Sequence, residues 1–426
     1  MRTHSGDGRA RWSGSGLLLL SILTGGLVFL PSAAWSIGRI SFDQMSVERC
    51  PEKSGCEWRL SCGVGSPQES EMIASAAART KYSVDIKKGL DIQGFPATVH
   101  CTAWEDDGWF GATWEKVASN SVTVPAGGEF TLDLASGEQG AVRVHMSVDS
   151  LDIAIPAAPA PAPPAAGKKP AKPAPAGVPP QFSAAFIPEH EGRAVVVGLE
   201  WKPFKAKVDE FAGQGLQIDD IETFESGGKR LWSGIFRNNP YKTSILVDQE
   251  GDQFLTSWKK LTGGRMRLSD LEIYSSGGKL LFAGLFRNLG ENHSFWVGQA
   301  RKDFQAKVKE LAESKGLRLL DSEAYRNGPS LLYAGAFRED TRTTDLWAGL
   351  TLDAFNSQWQ GLRGKDLQVA DLETYRDGDH RAVDVIVRSG PRGEVVLGLD
   401  QATFIKRWRE MVDKGMRLVS LEVYRD

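Results

Sequence analysis

The chain has 426 residues, of which 41% are hydrophobic and 25% charged, with a formal net charge of −3 at pH 7. This is ordinary globular composition, long enough for two or three domains. It lacks the basic excess that would draw nucleic acid or an anionic membrane surface by bulk charge.

Residues 1–36 read as a signal peptide. Arg2, Arg9 and Arg11 form a basic start, and Leu17 to Leu30 an apolar core of 14 residues. That core is short for a membrane span. Ser32-Ala33-Ala34 supplies the small residues of a cleavage site. A retained anchor is the alternative.

Residues 37–155 read as an all-β sandwich. Trp58, Leu60, Cys62 and Val64 alternate, as do Phe130, Leu132 and Leu134, then Val142, Val144, Met146 and Val148. Period-two patterns broken by Gly, Pro, Asp and Ser clusters point to antiparallel strands. All four cysteines lie here. In an exported chain they favour disulfides over a zinc site, whose usual spacings are missing. Four cysteines allow three pairings. Cys50–Cys56 as a local loop and Cys62–Cys101 between two strands is the favoured one. The loop from Trp104 to Trp114 carries Glu105, Asp106 and Asp107, oxygen donors of the kind calcium takes. With the strand order, this loop resembles a C2-type sandwich. Three adjacent acids cannot all face one ion, however, so an acidic turn without cofactor is the expectation.

Residues 156–180 are rich in Ala and Pro and favour extended polyproline geometry over a core. Fully stretched, the segment spans about 75 Å at ~3 Å per residue. It reads as a spacer that lets the two halves move independently.

Residues 181–426 are one unit repeated. An anchor phenylalanine recurs as Phe204, Phe254, Phe304, Phe355 and Phe404, at intervals of 50, 50, 51 and 49 residues. Such a period marks a repeat architecture. Each copy opens on a short apolar run, VVVGL from Val195 being one, which reads as a buried strand. A helix follows, with apolar residues at the anchor, four on and seven on, as in Phe204, Val208 and Phe211. Gly215, Gly264, Gly316, Gly364 or Gly415 ends it. Two strands around a Gly-containing turn complete a strand–helix–strand–strand unit. The fifth copy lacks its last strand, and FSAAFI from Phe182 matches the missing piece. The fold class is therefore α+β: a closed, propeller-like ring of five units, clasped by its two ends, behind an all-β sandwich. Closure leaves no open sheet edge.

The recurring pattern Phe-x3-Val/Trp-x2-Leu, Gly-x-Arg-Leu, Leu-Glu-x-Tyr and Ala-Gly-x-Phe-Arg resembles the bacterial tandem repeat family. Related repeats form the non-catalytic domain of polyglycine hydrolases, beside a serine hydrolase domain. No Ser-x-x-Lys nucleophile accompanied by its partner motifs is found. The resemblance implies a scaffold that recognises protein or peptide without the chemistry.

Two polar positions recur. Glu222, Glu272, Glu323, Glu373 and Glu422 each stand two residues before an aromatic, and Arg237, Arg287, Arg338 and Arg388 close the last strand. Ile187-Pro188 stands where the fifth arginine would be. Because stacking must be solved in every copy, both sets are expected to be structural, each Glu tied to an Arg or a backbone amide. Variation between copies is the better pointer to a ligand. Copy four departs most, with Asp384 and Val387 in its last strand. The turns differ in charge, and Arg326, Arg376, Asp377 and Asp379 are the binding candidates. Nucleophile-elbow, zinc-protease and phosphate-loop motifs are missing, so no enzyme is expected.

The sequence thus reads as a secreted or periplasmic, non-catalytic binding protein. Its partner would be a protein, peptide or cell-envelope polymer. A structural part of the envelope is the alternative, and a cryptic hydrolase a second. Intact-mass analysis of exported material is expected to show a chain starting between Trp35 and Gly38 with no alkylatable thiol. Retained leader mass, or four reactive cysteines, would overturn that.

Overall fold

The computed structural model describes residues 35–50, 56–65, 70–78, 81–106, 114–135, 140–155 and 179–425. The leader through Ala34, Asp107 with the loop to 113, and the Ala/Pro segment over 156–178 lie outside them.

Among the described residues, eight strands form the first half: β1 (Trp35–Arg49), β2 (Cys56–Val64), β3 (Glu71–Ala78), β4 (Tyr82–Ile92), β5 (Ala97–Asp106), β6 (Trp114–Val124), β7 (Gly128–Ala135) and β8 (Ala141–Ile153). One sheet orders β3-β2-β5-β6, and β7, β8, β1 and β4 belong to another. Their alternating inward residues share one core, with Phe42, Trp58, Leu60, Val99 and Val144 fully buried. Disulfides join Cys50 to Cys56 and Cys62 to Cys101, the favoured pairing. Cys62 and Cys101 sit opposite each other on neighbouring strands. Glu105 is buried at the end of β5, not displayed on a surface turn.

The second half begins with β9 (Gln181–Pro188). Unit one is β10 (Arg193–Leu199), α1 (Trp201–Gly213), β11 (Leu216–Ser226) and β12 (Lys229–Asn238). Unit two is β13 (Thr243–Glu250), α2 (Gly251–Gly263), β14 (Met266–Ser276) and β15 (Lys279–Asn288). Unit three is β16 (His293–Gln299), α3 (Arg301–Lys315), β17 (Leu317–Asn327) and β18 (Ser330–Glu339). Unit four is β19 (Thr344–Thr351), α4 (Leu352–Gly361), β20 (Leu367–Asp377) and β21 (His380–Ser389). Unit five is β22 (Glu394–Asp400), α5 (Gln401–Asp413) and β23 (Met416–Tyr424). Strand, helix, strand, strand is thus the order in each complete unit. Each anchor Phe is buried beneath its helix against its own hairpin. One detail differs from expectation. After α2 the left-handed turn falls on Arg265, with φ of 72°, while Gly264 keeps a negative φ.

The missing strand of unit five is β9. It pairs with both β22 and β23, Phe182 opposite Val423 and Phe186 opposite Leu418. Phe182 stacks on the anchor Phe404 with ring centroids 4.8 Å apart. Units two to five each hold a separate three-stranded sheet. Between units, β11 lies against β14, β14 against β17, β17 against β20, β20 against β23, and β23 against β11.

The two halves are joined, contrary to the expectation of independent motion. Strand β10 pairs in parallel with β8, Ala194 opposite Ser150, so unit one extends the sandwich sheet. Leu151 and Ile153 of β8 share a core with Phe182, Phe404 and Trp408. Arg417, buried at the start of β23, reaches Asp149 at 3.1 Å and donates to Ser147 Oγ at 2.9 Å. Breaking such a buried pair from one side leaves an uncompensated charge.

Because β9 supplies two fully buried phenylalanines to unit five, Phe182→Ala and Phe186→Ala are each expected to cost about 3–5 kcal/mol. Chemical unfolding checks this. A loss below ~1 kcal/mol for both would mean that β9 does not complete the unit.

Candidate functional site

The site is built on β11, β14, β17, β20 and β23, the first hairpin strand of each unit. Each carries a register shift against its partner strand: between Ile218 and Asp220, Leu268 and Asp270, Leu319 and Asp321, Val369 and Asp371, Leu418 and Ser420. A bulge leaves one residue outside the ladder and re-aims its neighbours. The extra residues are Asp219, Ser269, Leu320, Ala370 and Val419. All five line one cavity of about 220 Å³. Past the bulge the strand resumes alternation, so Asp220 and Glu222 share a face, and likewise in each copy.

Sequence reasoning singled out the glutamates and missed the level beside them. Asp220, Asp270, Asp321 and Asp371 stand two residues before the Glu, with Ser420 in unit five. The Asp-x-Glu spacing was readable in four copies. All four aspartates are buried, and so are Glu222, Glu272, Glu323 and Glu422. Both levels reach back to the preceding unit's backbone. Asp270 accepts from Ile221 N, Asp371 from Ser322 N, and Ser420 Oγ from Leu372 N at 3.1 Å. Glu272 accepts from Thr223 N, and Glu323 from Ile273 N at 3.3 Å. The residue after an acid in one unit therefore donates its amide to the acid of the next. Carboxyl groups also bond one another: Glu222 with Glu272, and Glu422 with both Glu373 and Glu222.

Such contacts need protons. Burial, and then the neighbouring carboxylates, push Asp220, Glu222, Asp321, Glu323 and Glu373 well above their ordinary range. Burial likewise raises Asp371 to about 6 and Glu422 to about 7. Among the described residues no group of three acids, histidines or cysteines is placed to hold a metal ion.

The arginines do not pair with these glutamates. They lie on the bulge side, around the 220 Å³ cavity, where Arg193, Arg237, Arg287, Arg338, Arg342 and Arg388 converge. Asp219 serves three of them: Arg287 at 2.7 Å, Arg237 at 3.4 Å and Arg193 at 3.5 Å. The five glutamates instead line an opening on the turn side, with Glu225, Arg230, Tyr274, Tyr424 and Arg425. The two openings thus differ in chemistry.

Arg326 lies at the end of β17, Arg376 and Asp377 at the end of β20, and Asp379 in the turn that follows β20. Arg326 and Asp377 pair with each other at 3.4 Å, and Asp377 also meets Arg301 at 3.0 Å. Arg326 donates to the Arg376 carbonyl at 3.5 Å, and Asp379 is fully exposed beside His380. The copy-four departure at Asp384 turns inward. Asp384 accepts from Gly349 N at 2.6 Å and from the Tyr375 hydroxyl at 2.8 Å. In unit five, Ser183 Oγ holds Gly398 N in the matching place, at 3.1 Å.

Three segments match the family model described as "Polyglycine hydrolase-like, structural repeat" (BTRD1): residues 246–288, 295–340 and 390–426. They cover most of units two, three and five, and these repeats are related to that family. Units one and four share the same element order. No curated protein matches the chain. Among solved structures, the first of the C2 domains of plant Extended Synaptotagmin 1, its domain A, is 13% identical, over 27% of this chain and 95% of that one, with a TM-score of 0.22. A structure described as a C2 domain is 9% identical, over 26% and 97%, at 0.20. Human GIVD cytosolic phospholipase A2 is 7% identical, over 78% of this chain and 36% of that one, at 0.23. Likenesses this remote carry no weight for fold or activity.

The acid levels set a pH dependence. Unfolded Asp and Glu titrate near ~4, while here the folded values are raised. The native state therefore holds more protons, and this contribution is complete below ~4 and lost as pH rises through about 6 to 7. Asp340, held down to about 2 by Arg342 against the cost of burial, acts oppositely and loses its contribution on acidification. The melting temperature is expected to peak in mild acid and fall toward pH 8. Glu272→Gln, which keeps the acceptor for Thr223 N, should flatten that fall. Glu272→Ala should cost about 1–3 kcal/mol by leaving the amide unmet. A melting temperature that climbs from pH 5 to pH 8 would contradict this.

Proposed function

We propose that this is an exported, non-catalytic binding protein whose five units close into one ring, and that the ring recognises a protein, peptide or cell-envelope polymer. The observation that carries the reading is the cycle of neighbours in which β23 lies against β11. It brings equivalent side chains of five units around one axis and leaves two openings, one lined by arginines and one by glutamates. Convergent polar groups at the ends of a rigid repeat scaffold suit recognition of a chain that carries charge. Two disulfides favour an oxidising compartment. No described helix is long and apolar enough to cross a membrane. Among the described residues Tyr241 is the one large apolar side chain of the repeats that stands exposed, which favours recognition over an assembly role.

The turn side of the ring carries the uneven charge that could fix the register of a ligand. Glu225 and Ser275 mark two units, Arg326 and Arg376 the next two, with Asp377 and Asp379 beside them. Mature protein immobilised and exposed to cell-envelope fractions is expected to retain one polymer or protein class. The double variant Arg326→Glu, Arg376→Glu should weaken that capture, and since the Arg326–Asp377 pair is a surface one, its stability should change by less than ~1 kcal/mol. Capture that survives this change but fails in Glu323→Gln or Glu373→Gln would move the site to the glutamate-lined opening. No retention from any fraction would leave the assembly reading in its place.

A further inference from the structure

Five of the six arginines around this opening have carboxylate partners among the described residues. Asp219 and Glu189 serve Arg193, Arg237 and Arg287. Glu291 meets Arg338 at 3.1 Å and Asp340 meets Arg342 at 2.6 Å. Arg388 lines the same cavity, yet among the described residues no carboxylate oxygen lies within ion-pair distance of it. Its one hydrogen bond is a long one, to the Leu319 carbonyl at 3.5 Å, and its Nε is buried with no acceptor. The cause is in the bulges. Where unit one places Asp219, units three, four and five place Leu320, Ala370 and Val419. Unit five also has Ile187 in place of a fifth arginine. A half-buried cation thus faces a small, mostly polar cavity whose apolar lining on this side is Ile187, Leu320, Ala370 and Val419.

A guanidinium desolvated in this way is costly unless an anion meets it. Its donor fork suits the planar pair of oxygens of a carboxylate. Ile187, Leu320, Ala370 and Val419 give the apolar body of a small organic acid surface to lie against, which a strongly hydrated inorganic ion does not use. At about 220 Å³ the space is below the ~300–1,000 Å³ of drug-sized ligand sites. We infer that Arg388, flanked by Arg338 and Arg342 and walled by Leu320, Ala370, Val419 and Ile187, is the binding site for a carboxylate carried on a short apolar body. Two sources share that chemistry: a free small acid, or the C-terminus of a peptide ending in a small apolar residue. Burial, reinforced by Arg342 and Arg338, lowers Arg388 to about 10, which fits a cation awaiting a counter-charge. The inference rests on reading the ring as a binding module, and deepens it.

Thermal unfolding of the mature full-length protein tests it. The probes are butyrate, an N-acetylated Ala-Val dipeptide with a free carboxylate, its C-terminal amide, and sulfate, all at constant ionic strength set with chloride. Butyrate and the free-acid dipeptide are expected to raise the melting temperature saturably, and the amide is not. A larger response to the dipeptide assigns a peptide terminus, and an equal or smaller one a small acid. Arg388→Gln should abolish the response without lowering the protein's own melting temperature, because it removes a charge that no carboxylate meets at ion-pair distance, Asp340 and Asp371 acting on it from farther off. Leu320→Asp, which copies the placing of Asp219 beside Arg287, should raise the melting temperature and also abolish the response. The inference is overturned if no carboxylate saturates beyond chloride, if sulfate alone does, if Arg388→Gln responds like the native chain, or if Leu320→Asp is destabilised and still responds. If the carboxylate response is lost while polymer capture persists, this site fails and the binding role stands. The reverse result sinks the binding role and keeps the site.

Discussion

The repeat half depends on buried carboxyl groups that hold the neighbouring unit's backbone. The first hairpin strands of adjacent units lie side by side, but they belong to separate sheets and share no ladder. Their facing amides would otherwise be dry and unmet, at a cost comparable to a lost hydrogen bond each. A short acid side chain reaches across and accepts, as Asp270 does from Ile221 and Glu323 from Ile273. A second requirement follows. Four aspartates and five glutamates on neighbouring strands, largely buried and close to one another, cannot all be charged. Protonated, each can accept from an amide and donate to a neighbouring carboxyl, as the bonds among Glu222, Glu272 and Glu422 require. Ser420 shows what matters at the aspartate level. A hydroxyl there holds the Leu372 amide equally well, so an acceptor is needed and a charge is not.

The bulge divides the labour within each strand. Residues after it repeat from unit to unit, because each faces the same junction. The bulge residue itself lies outside the ladder and is free to differ, and it does: Asp219, Ser269, Leu320, Ala370, Val419. The scaffold is therefore nearly uniform where units meet and uneven where the cavity opens. That unevenness, rather than the repeated acids, can tell one ligand orientation from another.

Much of this architecture was legible in the sequence. The spacing of Phe204, Phe254, Phe304, Phe355 and Phe404 marks the unit, and the stripe at four and seven residues on marks its helix. The likeness of FSAAFI to a last hairpin strand locates β9, because a missing strand must be supplied from somewhere. Other features were out of reach for physical reasons. The parallel pairing of β8 with β10 spans the Ala/Pro segment, and no local pattern reports a contact that distant. Arg417 looks like any charged residue at the start of a strand, and only its contact with the sandwich makes it a buried ion-pair partner. The arginines and glutamates recur together in sequence, which suggested pairing. They sit at different levels because the bulge intervenes between them. The aspartates, by contrast, stand in plain sight two residues before the glutamate in four copies, with serine in the fifth.

The central claim, that most of the carboxyl groups at the unit junctions are held protonated in the native state, can be measured directly as the protons exchanged when the chain unfolds. In weakly buffered solution at pH 7, denaturant-induced unfolding of the mature protein should release several protons, since the unfolded carboxyls ionise near ~4. Replacing Glu222, Glu272 and Glu323 by Gln should reduce that release. Unfolding that releases no protons, or takes them up, would mean that the acids are ionised in the native state and would contradict the account.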